Sequence, residues 1–153
     1  IDHPGDVRHK TPLHQDFHTQ IGSVDGIVIW MPLTDVTLEM GPLIFWESSH
    51  ELGILEVEDG DLNSLSTDMA LKIDDSQIGK FRKLQPEVKA GTLVIINYSL
   101  VHQSGFNKSS RCRWSLLSRY FNLHDQNSIS RGWHGGSQEG FKFREVFLNN
   151  QNF

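Results

Sequence analysis

The most informative chemical feature of the sequence is a histidine and an aspartate separated by one residue, His14 and Asp16. Alternate residues of an extended strand project to the same side, so we expect the imidazole and the carboxylate to enter one space. His102 follows an apolar run that ends at Tyr98 and is the candidate for a third donor. Two imidazoles and one carboxylate on one face of an octahedron leave three positions open, which is the arrangement of non-heme Fe(II) oxygenases.

This pattern needs support from other residues, because the chain has 8 histidines and a pair of this spacing is common by chance. Arg111 and Arg113 stand at the head of the last predicted strand. A guanidinium binds a carboxylate through two charge-assisted hydrogen bonds, so either arginine could hold the far end of an anion that chelates the metal. Strand periodicity does not choose between them, since both have the same parity. The alternative for each is an exposed charge on an edge strand.

Short apolar runs separated by Gly, Pro, Asn and Asp predict the elements that position these side chains. Such runs indicate an antiparallel sandwich or barrel, an all-β core with peripheral short helices and loops. The runs occupy residues 24–33, 41–47, 53–57, 91–98 and 112–121. We expect the first run and the last two to line the pocket.

The chain of 153 residues fits one domain. Its net charge of −5 and the lack of any apolar run near the ~18 residues of a membrane span argue against nucleic-acid and membrane partners. The single cysteine, Cys112, excludes an internal disulfide and favours a reducing compartment, so we expect a cytoplasmic protein. The chain begins at Ile1 without an initiator methionine, as an excised piece of a longer protein does.

Two stretches differ from the predicted core, which spans residues 1–121. The acidic segment 58–80 is expected to be a surface insertion with one or two helical turns. The polar stretch 122–153 contains several aromatic residues, and we expect it to pack outside the barrel, on the core or on a partner subunit. An oligomer is therefore compatible with the sequence.

Several short segments resemble the phytanoyl-CoA dioxygenase family. They are PLHQD from residue 12, IWMPL from residue 29, MGPL from residue 40, SSH from residue 48, GTLV from residue 91 and HQSGFNK from residue 102. Members of this family are Fe(II)- and 2-oxoglutarate-dependent oxygenases built on a double-stranded β-helix, a jelly-roll barrel. The resemblance covers about residues 1–121 and implies that fold here.

The resemblance also implies the ligands of the metal and of the cosubstrate. His14, Asp16 and His102 match the Fe(II) ligands of the family. The family places its cosubstrate arginine eleven residues after the distal histidine, which selects Arg113 for the distal carboxylate of 2-oxoglutarate. The serine two residues after that histidine, Ser104, is implied to hold the same carboxylate.

Two further residues receive roles from the resemblance. Trp30 is implied to form an aromatic wall beside 2-oxoglutarate, with simple core packing as the alternative. Gln15 is implied to lie near the substrate, although its strand parity places it on the face opposite His14 and Asp16. His50 lies in a recurrent Ser-His pair that we interpret as structural.

The implied function is a dioxygenase that hydroxylates a small organic substrate, uses dioxygen and 2-oxoglutarate, and releases succinate and CO2. Related halogenases carry Gly or Ala at the place of Asp16, so its carboxylate favours hydroxylation or another oxidation. The alternative is a catalytically silent jelly-roll domain, or a cupin-like metal-binding domain that does not use 2-oxoglutarate. A cupin would be expected to carry a His-x-His pair, and this chain has His14-Gln15-Asp16 instead.

Overall fold

The computed structural model describes residues 1–7, 11–19, 22–59 and 71–132. The strands within these ranges are β1 (Gly26–Pro32), β2 (Ile44–Trp46), β3 (Glu58–Asp59), β4 (Leu71–Lys72), β5 (Lys83–Leu84), β6 (Val94–Asn97), β7 (His102–Gln103) and β8 (Ser115–Phe121). The helical elements are short 3-10 helices at Asp16–Thr19, Leu38–Met40, Ser49–Leu52 and Asp75–Gln77, and the α-helix α1 at Gln126–Ser130. Among the described residues, no helix is long and apolar enough to cross a bilayer.

All the strand pairs are antiparallel, and they form two three-stranded sheets and a two-stranded ladder. One sheet has the order β6-β1-β8 and the other β5-β2-β7, while β3 pairs with β4. The described chain is therefore mostly β-structure with few helices, as the short apolar runs predict.

Strand β1 determines which side chains of the first sheet face inward. Its exposure alternates, with Val28 and Trp30 buried and Ile27 exposed, because successive side chains of a strand point to opposite faces. The pairing register places Arg119 of β8 beside Val28 and Leu117 of β8 beside Trp30. The register therefore brings a charged side chain of β8 to the inner face.

The two three-stranded sheets share one apolar interior. Val28 and Ile96 from the first sheet pack with Phe17 and Tyr98 in one buried cluster, and Phe45 of β2 packs against it. Phe45 also packs against the cluster that contains Trp30. Burial of large apolar side chains of this kind is worth about 1.5–3 kcal/mol each, so the inner faces of both sheets stabilise the frame that carries the site.

Most predicted strands are present, with one exception. The runs 24–33, 41–47, 91–98 and 112–121 contain β1, β2, β6 and β8. The prediction of a strand over 53–57 is wrong. Gly53 has a φ of 70°, in the left-handed region. The carbonyl of Gly53 and the N–H of Leu55 bond to the side chain of Gln15 instead of to a neighbouring strand.

The segment around His14 also differs from the prediction of an extended strand. His14 forms a single bridge with His102, and the chain then turns into the 3-10 helix that begins at Asp16. The imidazole and the carboxylate still converge. Their approach follows from this turn and from the bridge instead of from strand alternation.

The two stretches expected outside the core are only partly described. Within 58–80, strands β3 and β4 pair with each other, while Ile73 and Ile78 are buried in a core cluster, so this part does not lie wholly on the surface. Residues 60–70 and 133–153 lie outside the described part. In the described start of the tail, the Asp125 carboxylate accepts a hydrogen bond from Ser23 Oγ (2.6 Å) and holds the tail against the loop before β1.

Candidate metal centre

An isolated antiparallel bridge brings the two candidate histidines together. The N–H of His14 donates to the carbonyl of His102 and the N–H of His102 donates to the carbonyl of His14, both at 3.0 Å. The centroids of the two imidazole rings are 4.2 Å apart. Asp16 completes the group, and one potential ligand atom from each of the three residues lies within 4.8 Å of the others. The structure therefore juxtaposes the three predicted metal ligands.

Backbone carbonyls determine which nitrogen of each imidazole faces the cluster. His14 Nδ1 lies 2.7 Å from the carbonyl oxygen of Pro12, and His102 Nδ1 lies 2.9 Å from that of Leu100. A carbonyl only accepts hydrogen bonds, so both Nδ1 atoms carry the proton. In the neutral imidazoles this leaves the lone pair on Nε2, and a backbone carbonyl on Nδ1–H is the usual support of a metal-binding histidine.

The contact between His102 and Asp16 points to a cation. His102 Nε2 lies 3.2 Å from Asp16 Oδ2. A neutral His102 carries its single proton on Nδ1. The lone pair of its Nε2 would then face a lone pair of Asp16 Oδ2, which is unfavourable. The contact becomes favourable when a second proton or a metal ion lies between the two atoms, so the donor set fits a divalent ion.

The surroundings of His14 and Asp16 favour the charge states that bind a metal. The buried environment, followed by the nearby His102, lowers the pKa of His14 to about 3, so its imidazole is neutral at physiological pH. Burial alone would raise the pKa of Asp16. The interactions of Asp16 with His102, His14 and Arg119 outweigh burial and lower its pKa. A neutral His14 imidazole and an ionised Asp16 carboxylate are the result.

Arg119 is a site residue that the sequence analysis missed. Its Nε donates to Asp16 Oδ1 at 2.9 Å, which leaves Oδ2 as the oxygen beside His102. The available signal was strand parity, because residues 113, 115, 117 and 119 of one strand project to the same side. Arg119 therefore shares the inner face with Arg113, although parity was applied above only to Arg111 and Arg113.

The two arginines that parity left open have different surroundings. The Arg113 side chain is buried, with an exposed fraction of 5%. Its Nη1 donates to the carbonyl of Gly41 and its Nη2 donates to Asp2 Oδ2 at 2.6 Å, while its Nε has no hydrogen-bond partner among the residues that the structure describes. Arg111 is exposed, and its Nη2 lies against the sulfur of Met40. Arg113 is thus the arginine that faces the interior.

The partner of Arg113, Asp2, was also missed by the sequence analysis. Its main chain bridges that of Arg113, with both N–H···O distances at 2.9 Å. Burial raises the pKa of Asp2 although Arg113 opposes that shift, and burial lowers the pKa of Arg113. Both shifts reflect the cost of removing charges from water, which the ion pair offsets only in part.

Two glycines allow the loops beside Arg113 to approach each other. Gly41 has a φ of 66°, and a Cβ there would lie 2.5 Å from the backbone of Phe106. A Cβ on Gly105 would lie 2.4 Å from the carbonyl oxygen of Pro42. Side chains at these positions would separate the loops. The glycines of the MGPL and HQSGFNK segments thus place the Gly41 carbonyl where Arg113 reaches it.

A cavity of about 200 Å³ connects the two groups of residues. Its lining includes the three candidate ligands, the arginines Arg113 and Arg119, and the predicted Ser104 and Trp30. Strands β1, β6 and β8 contribute to its wall, as expected for the runs that contain them. Trp30 is 4% exposed, and it both lines the cavity and packs in a core cluster, while its expected place beside 2-oxoglutarate stays a prediction.

Gln15 does not line this cavity. Its amide nitrogen donates to the carbonyls of Gly53 (2.7 Å) and Ser99 (2.6 Å), and its oxygen accepts from the N–H of Leu55 (2.9 Å). Its side chain is fully buried. These contacts tie two loops to the segment between the candidate ligands, and they offer no support for the expected contact with substrate. His50 is exposed and likewise lies outside the lining.

Several solved structures share this fold. The non-heme alpha-ketoglutarate-dependent epimerase SnoN from nogalamycin biosynthesis is 22% identical, with a TM-score of 0.55 over 74% of this chain and 41% of its own. The non-heme alpha-ketoglutarate-dependent carbocyclase SnoK, also from nogalamycin biosynthesis, is 17% identical. Its TM-score is 0.56 over 90% of this chain and 55% of its own. EvdO2 from Micromonospora carbonacea var. aurantiaca, solved with 2-oxoglutarate, is 19% identical, with a TM-score of 0.52 over 78% and 50%. This chain therefore spans about half the length of these proteins.

Sequence comparison identifies the family. No curated protein sequence matches the chain. The family model of phytanoyl-CoA dioxygenase (PhyH) matches residues 2–115, a range that starts at Asp2 and includes the candidate ligands and Arg113. This match covers well over half of the chain, and we conclude that the chain belongs to the phytanoyl-CoA dioxygenase family.

Proposed function

We propose that this protein is an Fe(II)- and 2-oxoglutarate-dependent dioxygenase that hydroxylates a small organic substrate. The observation that carries the proposal is the group of His14, Asp16 and His102, with both Nδ1 atoms bound to backbone carbonyls and both Nε2 atoms left for a metal. The proposal includes a double-stranded β-helix over residues 1–121, supported by the antiparallel sheets and by the family match.

His14, Asp16 and His102 would hold Fe(II). Two imidazoles and one carboxylate supply three donors, and a donor set of this kind leaves positions for a cosubstrate and dioxygen. Arg119 would hold Asp16 Oδ1, so that Oδ2 remains for the metal. Bound Fe(II) and 2-oxoglutarate together supply the oxidising chemistry: dioxygen is consumed, one oxygen atom enters the substrate, and 2-oxoglutarate is converted to succinate and CO2.

Arg113 would bind the distal carboxylate of 2-oxoglutarate. Its Nε is buried and finds no partner in the described ranges of the chain, and Arg113 lines the same cavity as the candidate ligands. A buried donor without a partner costs about 1–3 kcal/mol, which an incoming carboxylate would recover. Ser104 lines this cavity too and would add a hydroxyl to the same carboxylate.

The charges around the cavity suit a dianion. The ionised side chains in its lining are Asp2, Asp16, Arg113 and Arg119, whose charges sum to zero. A divalent metal would make the total +2, equal and opposite to the charge of 2-oxoglutarate. The apolar lining of Val28, Trp30 and Ile96 excludes water and strengthens these interactions.

Turnover of 2-oxoglutarate tests the proposed function. The purified protein is incubated with Fe(II), 2-oxoglutarate and air, alone and with a panel of small organic compounds, and succinate is measured. We expect succinate to form only when all three components are present, and a true substrate to increase its rate and to gain one oxygen atom. Asp16→Ala should abolish the reaction, whereas His50→Ala, which changes an exposed histidine outside the cavity, should not.

The alternatives predict different outcomes. A protein that binds Fe(II) but forms no succinate with any compound would favour the cupin-like domain, and one that binds no metal would favour the silent domain. An epimerase and a carbocyclase are among the structural neighbours. Succinate formation without oxygen incorporation into the product would therefore retain the cofactor assignment and exclude hydroxylation.

A further inference from the structure

The Asp2 carboxylate occupies a donor of Arg113 that an anionic ligand would also need. The Nε and Nη2 hydrogens of arginine lie along one edge of the guanidinium plane, and a carboxylate binds this edge with both oxygens. In Arg113, Nη2 donates to Asp2 at 2.6 Å, while Nε has no partner within the described part of the chain. One half of the edge is therefore filled by the protein itself and the other half is open.

Asp2 is not needed to orient Arg113. The Nη1 atom of Arg113 is already bound to the carbonyl of Gly41, and the closely packed loops at Gly41 and Gly105 fix that carbonyl. The guanidinium therefore keeps one anchor when its Nη2 is released. Asp2 also brings a negative charge into the end of the cavity where the negative carboxylate of 2-oxoglutarate would bind.

The main chain of Asp2 is held beside Arg113 independently of its side chain. It forms the bridge to the main chain of Arg113, and Asn107 Nδ2 donates to its carbonyl at 3.3 Å. Farther along the segment, His3 Nδ1 lies 3.4 Å from Cys112 Sγ, and the N–H of Gly5 donates to the carbonyl of Asn107 at 2.9 Å. The Asp2 side chain can thus leave Nη2 by rotation while its backbone stays in place, and it remains close enough to return.

We propose that Asp2 is an internal competitor for the carboxylate site on Arg113, so that it sets the affinity for 2-oxoglutarate. This inference rests on the proposed function, because it assumes that Arg113 binds the distal carboxylate of 2-oxoglutarate. Asp2 occupies Nη2 in the absence of the cosubstrate and yields it when a carboxylate binds the Nε–Nη2 edge. The affinity for 2-oxoglutarate is then lower than Arg113 alone would give.

Calorimetric titration of the metal-loaded protein with 2-oxoglutarate, under anaerobic conditions, tests this proposal without turnover. Asp2→Asn keeps the size of the side chain and removes its charge. We expect the Kd of this variant for 2-oxoglutarate to fall by at least about tenfold, which corresponds to about 1.4 kcal/mol. Asp6→Asn removes the same charge from the same segment outside the cavity lining and should change the Kd by less than about twofold.

The outcomes separate the competitor from the proposed function. If the wild-type protein and Asp2→Asn bind with the same Kd, or if the variant binds more weakly at an unchanged melting temperature, Asp2 is not a competitor. Should the variant melt at a lower temperature, Asp2→Ser serves as the second variant and must also bind more tightly. If none of the proteins binds 2-oxoglutarate, the proposed function and this inference both fail.

Discussion

The two ends of the cavity are constructed differently. At the metal end, every donor has a second contact: the Nδ1 atoms of His14 and His102 bind carbonyls and Oδ1 of Asp16 binds Arg119. At the opposite end, Arg113 donates from Nη1 to Gly41 and from Nη2 to Asp2, and no described residue accepts from its Nε. The side chains at the metal end are therefore already oriented for a metal ion, whereas at the other end the Asp2 carboxylate occupies part of the Arg113 guanidinium.

This difference separates metal binding from cosubstrate binding. Metal affinity should depend on the three ligands and Arg119, and it should be insensitive to changes at Arg113. Binding of 2-oxoglutarate should depend on Arg113 and on the acid that occupies it. Variants at one end that change both properties equally would contradict this separation.

The largest effect is expected for His102→Ala. The substitution removes a direct ligand, and loss of supporting residues alone typically costs about 10- to 100-fold in metal affinity. We expect the affinity for Co(II), a spectroscopic substitute for Fe(II), to fall by more than about a hundredfold in an absorption titration. His50→Ala is the control, because His50 is exposed and outside the cavity lining. Equal Co(II) affinities of the two variants would remove His102 from the site.

A change of Arg113→Lys should weaken 2-oxoglutarate binding by about ten- to a hundredfold. Lysine keeps the charge but loses the two-pronged geometry, and a charge-assisted hydrogen bond is worth about 1.5–3 kcal/mol. Metal affinity should stay unchanged. Arg111→Lys is the matched control, since Arg111 is exposed. The apparent KM for 2-oxoglutarate measures the effect, and a larger increase for Arg111→Lys than for Arg113→Lys would refute the assignment.

Arg119→Met should reduce metal affinity by about tenfold, because it frees Asp16 Oδ1. The side chain keeps a similar length and loses its donors. A merely structural role would not change the ligand geometry, so the visible spectrum of the Co(II) protein is the decisive measurement, and we expect its bands to shift. Arg82→Met, which breaks an exposed ion pair with Glu47, serves as control and should leave the spectrum as it is. An unchanged spectrum in Arg119→Met would exclude the positioning role.

The smallest effect concerns the stability of the metal-free protein. Burial lowers the pKa of His14 to about 3 and that of His18 to about 4, so the unfolded chain binds protons that the folded protein does not. The stabilising contribution is present above pH 6.5 and is lost as the pH falls towards 4. We expect the free energy of unfolding to decrease by up to about 1.4 kcal/mol per pH unit for each histidine.

Urea unfolding at pH values from about 7 to 4 measures this dependence. The variant His18→Gln removes one of the two groups and should reduce the slope by up to half. A slope of zero in the wild-type protein would show that these histidines are not buried in neutral form. Such a result would contradict the inference that His14 is already neutral and can bind a metal ion without first losing a proton.

Local sequence information was sufficient for four of the eight described strands and for proposing His14, Asp16 and His102 as metal ligands. The strands β1, β2, β6 and β8 lie within apolar runs, since alternation and turn residues are local properties. The run 53–57 failed as a strand because a distant side chain, Gln15, takes its backbone groups. The sequence distance of 40 residues between Gln15 and Leu55 leaves no local signal for this contact.

The residues that support the site depend on register and on contacts between distant segments. Arg119 reaches Asp16 across 103 positions of sequence, and Asp2 reaches Arg113 across 111. Strand parity places Arg119 on the inner face, but it gives no information about which residue Arg119 contacts. Asp2 belongs to no recognisable sequence pattern, and aspartates are ordinarily exposed. Only the tertiary bridge shows that it pairs with a buried arginine.

The most direct test of the central claim is an anaerobic titration of the Fe(II)-loaded protein with 2-oxoglutarate, followed by visible absorption. Chelation of Fe(II) by the keto acid gives a weak charge-transfer band. We predict that the band appears in the wild-type protein and saturates at one equivalent, is absent in His102→Ala, and needs about ten- to a hundredfold more 2-oxoglutarate in Arg113→Lys. A wild-type protein that binds Fe(II) but shows no band at any concentration of 2-oxoglutarate would contradict the proposed function.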